Sequence, residues 1–204
     1  MSWHIVQEFE NKIANFFGSS YAVATDCCTH AIELCLRLQT STQQISCPQH
    51  TYISVPMTFI KLGLNWTFNK SNWTDYYFIE NTNIIDAAAL WQKGSYVKDS
   101  LMCISFQFQK PLSLGRGGMI LCSDKTQYNQ LKKMSYDGRN ITSNIPWADQ
   151  NITTIGYHYY MTPETAHEGI NKIDQGVKDN SWSYKNYPNL SKMKVFLPWT
   201  NGVK

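Results

Sequence analysis

The sequence predicts an α/β fold, a mainly parallel sheet flanked by helices, and three observations carry that prediction. Short apolar runs of strand length alternate with segments whose apolar residues recur at helical spacing. Residues able to do chemistry gather where those strands end, the place where open parallel sheets hold ligands. The 204 residues, 43% of them hydrophobic, suffice for one domain with a real core, or a domain plus a tail.

Each element has a local reason. Val6, Phe9, Ile13, Phe16 and Phe17 share one helical face, and Gly18 stops the helix. "YAVAT" (21–25) is a short buried strand, after which Thr29 starts a second helix through Ile32, Leu34, Cys35 and Leu38. "QISC" (44–47) is a strand ended by Pro48, and "TYISVPMTFIKLG" (51–63) is a helix despite Pro56. Strands are expected at "NWTF" (65–68), "NIIDAAA" (83–89), "LMCISF" (101–106) and "GMILCS" (118–123), followed by a helix over 125–135. The stretch "GYHYYMTPETA" (156–166) is expected as a loop, and the end of the chain as an extended tail packed by Trp182, Tyr184, Tyr187 and Trp199.

Bulk properties exclude several classes. The formal net charge of +3 is scattered, with Lys132-Lys133 the longest basic run, so no nucleic-acid stripe exists. No apolar stretch reaches the length of a membrane span, and "MSWHIVQEFENK" does not read as a signal peptide. The six cysteines lack paired metal spacing and are expected as reduced thiols in a cytoplasmic protein, with no metal; a disulfide framework or zinc site is the lesser alternative.

Chemistry concentrates in a few segments. "ATDCCTHA" (24–31) is a strand-to-helix turn, suited to phosphate through its backbone N–H groups and the Thr29 hydroxyl, or to ordinary capping by Asp26 or Thr29. In "PQHTY" (48–52), Tyr52 suits stacking on a flat heterocycle, or a place in the core. Asp86 ends a strongly apolar strand, where a carboxylate is costly without a positive partner. Then "CISFQFQKPLSLGRGGMIL" (103–121) brings Ser105 and a lone lysine, Lys110, off a strand into glycine-rich backbone. As an ordered set these meet the needs of pyridoxal phosphate: an amine for its aldehyde, a carboxylate for its ring nitrogen, and a cup for its phosphate.

At this point the chain resembles the DegT/DnrJ/EryC1/StrS family of nucleotide-sugar aminotransferases, which have the type I fold of pyridoxal-phosphate-dependent transferases. The family pattern "VxEFExxFAxYFG…YAVAxSSGTxAL" appears as "VQEFENKIANFFG" and "YAVATDCCTHAI". "P-x-x-TF", "EDAA", "FSFHxxKxxxxGEGGM" and "GYNYRMT" appear as "PQHTY", "IDAAA", "ISFQFQKPLSLGRGGM" and "GYHYYMT". The resemblance implies that Lys110 bonds the cofactor aldehyde and Asp86 faces the pyridine nitrogen. It implies that Tyr52 stacks on the ring and that Cys28, Thr29 and Ser105 form the phosphate cup. His158 stands where the family has an asparagine that reaches the neighbouring subunit's phosphate, which implies a homodimer with shared sites.

The implied activity moves an amino group from an amino acid, glutamate in most of the family, to a nucleotide-linked keto-sugar. For this Lys110 must act as a neutral amine, below its usual pKa of roughly 10.4. The implied organisation is a large domain over 1–176, shortened between 63 and 86, and an aromatic-rich tail over 177–204 without the usual small C-terminal domain. Departures include Cys28 for the glycine of "SSGT", Ala89 after "DAA", and Arg116 within "GRGG". They leave open a second reading, a degenerate non-catalytic relative that binds a ligand or partner. The dehydrating relatives carry histidine at the lysine position, so Lys110 speaks against that third chemistry.

Overall fold

The computed structural model describes residues 3–39, 42–173 and 181–200. Helix α1 (His4–Phe17) buries Val6, Phe9, Ile13 and Phe17 on one face. Gly18 closes it in the left-handed region at φ 81°, where a side chain would be strained. Strand β1 (Tyr21–Thr25) leads into α2 (Cys28–Leu38), and β2 (Ile45–Pro48) into α3 (Ser54–Lys61). Because α3 begins at Ser54, Pro56 falls in the first turn, where a missing N–H removes no intrahelical bond.

The next strands are β3 (Trp66–Asn69), β4 (Tyr77–Phe78), β5 (Ile84–Asp86), β6 (Leu101–Ser105) and β7 (Gly118–Cys122). Helices α4 (Lys125–Ser135), α5 (Pro163–Ile173) and the short α6 (Leu197–Thr200) complete the set. The Asp124 carboxylate caps α4 by accepting from the Gln127 N–H at 2.7 Å. None of the described helices is long and apolar enough to cross a membrane.

The α/β class holds, but the sheet is mixed rather than mainly parallel. Its order is β1-β7-β6-β5-β4, with β2 and β3 paired separately in parallel. Only β5 and β6 pair in parallel within the larger sheet; β7 runs against both β1 and β6, and β4 against β5. The physical reason is the connection. Residues 106–117 join β6 to β7 without a crossover helix, so the chain can only fold back.

Alternation along the strands divides the core. Met102, Ile104, Met119 and Leu121 face α1 and α5, while Leu101, Cys103, Ile120 and Cys122 face α2, α3 and the tail. Each large side chain such as Phe9 or Phe59, both fully buried, contributes about 2–3 kcal/mol.

Two segments differ from expectation. Of the expected loop over 156–166, residues 156–162 are irregular, but the rest belongs to α5, whose start combines Pro163 with a Thr162 hydroxyl that accepts from the Thr165 N–H at 3.3 Å. The tail is not extended. It forms 3₁₀ turns at Tyr184–Asn186, Leu190–Lys192 and Lys194–Phe196, and buries Leu190 and Phe196 in the same core as Trp66. The expected boundary between 176 and 177 lies outside the described residues.

Candidate active site

Strand register sets the site. Asp86 lies opposite Cys103 at the end of β5, Ser105 ends β6 opposite Gly118, and Gly118 also faces Thr25 at the end of β1. One edge of the sheet therefore collects the strand ends and the start of α2. There the structure has a cavity of about 940 Å³, and Cys28, Thr29, Tyr52, Asp86, Ser105 and Lys110 all line it. His158 does not line it. It is exposed on the far side of Asp137, whose carboxylate it meets at 3.0 Å.

The α2 start sits low against the sheet. A β-carbon on Gly118 would come within 2.5 Å of the Cys27 carbonyl carbon and the Cys28 nitrogen, so glycine is required there by contact. Cys27 is extended at the helix N-cap and offers no side-chain cap, so α2 leaves its first backbone N–H groups without a side-chain acceptor of that kind. Beside it the Thr29 and Ser54 hydroxyls are 2.7 Å apart, and Ser105 is buried. Burial and the nearby charge of Asp86 push the Cys28 thiol well up, which keeps it protonated. The mouth is closed on one side by Arg116, which donates to the Asp26 carboxylate at 2.8 Å.

Lys110 is carried by a loop folded on itself. Its own N–H donates to the Gln107 carbonyl at 2.8 Å, and Leu114 N–H returns to the Phe106 carbonyl at 2.9 Å. Among the described residues its amine contacts the Trp182 ring, 4.2 Å from the centroid, and forms no ion pair. Burial lowers its pKa, against the opposing charge of Asp86.

Asp86 is buried and linked to neutral donors. Tyr77 Oη donates to one oxygen at 2.6 Å, and the Ala88 N–H donates to the other at 3.0 Å. Thr51 in turn bonds Tyr77 Oη at 2.5 Å. Burial raises the Asp86 carboxyl above its ordinary value, while these donors and the Lys110 charge hold it down. Such a carboxylate, without a cation at bonding distance, can accept a protonated heterocycle nitrogen.

Sequence reasoning missed three contributors. Tyr77 comes from a two-residue strand with no period to read. Trp182 and Tyr187 come from the tail, and both line the cavity. Only their aromatic character was visible.

The family model of the DegT/DnrJ/EryC1/StrS aminotransferases matches residues 2–84 and 92–181. The chain belongs to this family. Asp86 falls in the short gap between the matched segments, and the tail from Trp182 onward lies beyond them. Among solved structures, the chain is similar to AtS13 from Actinomadura melliaura at 15% identity and TM-score 0.72, covering 85% of this chain and 60% of that one. It is similar to DesI, solved with its TDP-sugar product, at 16% identity and TM-score 0.64, covering 84% and 53%. It also matches the PLP form of Spr1654 from Streptococcus pneumoniae at 14% identity and TM-score 0.66, covering 84% and 59%. The chain therefore spans about 60% of AtS13's length or less of these structures, and at such identities the likeness is one of fold. Comparison with curated proteins found no match.

Proposed function

We propose that the chain is a pyridoxal-phosphate-dependent aminotransferase that moves an amino group from an amino acid, glutamate by preference, to a nucleotide-linked keto-sugar. One observation carries the reading: a half-buried lysine, a buried carboxylate and an open helix start converge on one cavity. Pyridoxal phosphate fits these residues. Lys110 would bond its aldehyde, Asp86 would face its ring nitrogen, and Tyr52 would cover the ring. Cys28, Thr29 and Ser105 would surround its phosphate.

When bound, that cofactor supplies an electron-withdrawing ring that takes charge from the carbon beside the transferred amine. The remaining work belongs to the protein. A lysine whose charge is disfavoured by burial can accept and return a proton at Nζ more readily than an exposed one. Tyr77 and the Ala88 N–H fix the carboxylate of Asp86 so that it can hold a proton-bearing nitrogen without moving. The tail walls off water with Trp182 and Tyr187.

The wider reading follows the family. We take the protein to be a homodimer in which His158 reaches the partner's cup, supported by its exposure outside its own cavity. We take it to be cytoplasmic, which suits its six thiols. The sugar part of the reading is supported by the likeness to DesI, solved with its TDP-sugar product.

The test is direct. Purified protein incubated with pyridoxal phosphate and reduced with borohydride should carry one adduct, mapped to Lys110. Glutamate should shift the absorption of the unreduced complex. Protein that stays colourless and gains no mass refutes the proposal, and an adduct that no amino donor alters reduces it to a binding module.

A further inference from the structure

The ring that meets the Lys110 amine comes from outside the region matched to the family. That match ends at residue 181, and Trp182 follows it. Its ring centroid stands 4.2 Å from Nζ, within the range at which an aromatic face attracts an ammonium.

Main-chain bonds hold the ring in place. Asp75 N–H donates to the Trp182 carbonyl at 2.7 Å, and Tyr184 N–H to the Trp73 carbonyl at 3.0 Å. Ser183 and Asn186 close a reciprocal capping box directly after it. The Tyr187 ring lies 5.9 Å away, and the Tyr187 carbonyl is bonded by His50 Nδ1 at 2.9 Å. Further along, buried Leu190 and Phe196 anchor the segment in the core.

We propose that Trp182 is a positioning residue whose ring face is the resting place of the Lys110 amine whenever that amine is free. It keeps the amine inside the cavity, charged and close, until the amine is needed. The inference rests on Lys110 being the reactive amine of the proposed function. The other charged or titratable groups around the cavity are Asp86, Asp75, Arg116, His30, Cys27, Cys28, Tyr52, Tyr77 and Tyr187. Of these, Asp86 acts on the lysine charge directly.

The ring exerts two opposed influences. Its bulk excludes water, which disfavours the ammonium, and its face attracts the ammonium. Leucine keeps much of the bulk and loses the face, whereas phenylalanine keeps a face. The experiment labels the cofactor-free chain with acetic anhydride over a pH series and follows acetylation of Lys110 by peptide mass. Trp182→Leu should lower the titration midpoint and raise labelling near neutral pH about fivefold, while Trp182→Phe should keep the original profile within about twofold. Superimposed profiles for the original chain and Trp182→Leu overturn the proposal, as does an equal shift in both variants or a rise toward roughly 10.4 in both. Because no cofactor is present, the outcome stands apart from borohydride trapping, which tests the function itself.

Discussion

Two of the molecule's buried carboxylates, each near a lysine, sit in different settings. Glu10, on α1, is fully paired: Lys132 Nζ reaches both its oxygens at 2.8 and 2.9 Å, and the Ala24 N–H donates to it at 2.8 Å. Asp86 has a phenol and a backbone N–H, while Lys110 rests against an aromatic ring instead of forming an ion pair with it. The first arrangement joins α1, β1 and α4 with its charges neutralised. The second keeps a negative and a positive group in one cavity with neither spent on the other. A buried pair that is satisfied holds structure together; one kept apart is available for chemistry.

The strongest way to break this contrast is to remove each lysine. Lys110→Ala should abolish the borohydride adduct and lower any turnover about 10³-fold or more, with little change in stability. Lys132→Met should leave the adduct intact and cost about 3–5 kcal/mol in urea unfolding, because Glu10 is left buried and unpaired. Adduct formation lost equally in both variants would erase the distinction.

Smaller changes sharpen it. Tyr77→Phe takes one donor from Asp86 and should cost about 1–3 kcal/mol. It should also raise the Asp86 carboxyl further, moving the acid limb of pyridoxal phosphate binding to higher pH, as read by absorbance titration. The smallest effect belongs to His30 at the cavity mouth. Burial opposes its charge, but bonding to Asp26 and Cys27 pushes the imidazole up to about 9 from an ordinary 6.5. A group raised in the folded state stabilises fully below pH 6.5, and that contribution is lost as pH rises through about 9. About a quarter of each side chain is exposed, which holds the effect to about 1–2 kcal/mol. Unfolding midpoints of the original chain and His30→Gln should therefore differ at pH 6 and converge near pH 10.

Much of this was legible because it is local. Val6, Phe9, Ile13 and Phe17 announce α1 by spacing, and Gly18 by its backbone freedom. Lys110 and Asp86 stand out as charged residues in apolar surroundings, which bulk chemistry makes costly. What escaped was either nonlocal or too short to show a period. The reversal of β7 depends on which strands pair, and "YF" at 77–78 is too brief to alternate. Helix α5 carried readable signs in Thr162 and Pro163, outweighed by the aromatic run before them. The tail's 3₁₀ turns have no apolar stripe to find, so its contribution to the cavity emerges only in three dimensions.

Gly118 gives the pocket a means of proofreading. It pairs with Thr25 on one side and Ser105 on the other, directly beneath the first turn of α2. If β7 slipped by a single position, Met119 would arrive under that turn, and every inward residue of the strand would swap faces. Misthreaded chains would then lose the seat of α2 and the packed interior together, so any molecule with α2 seated on β7 has already been checked for correct strand alignment.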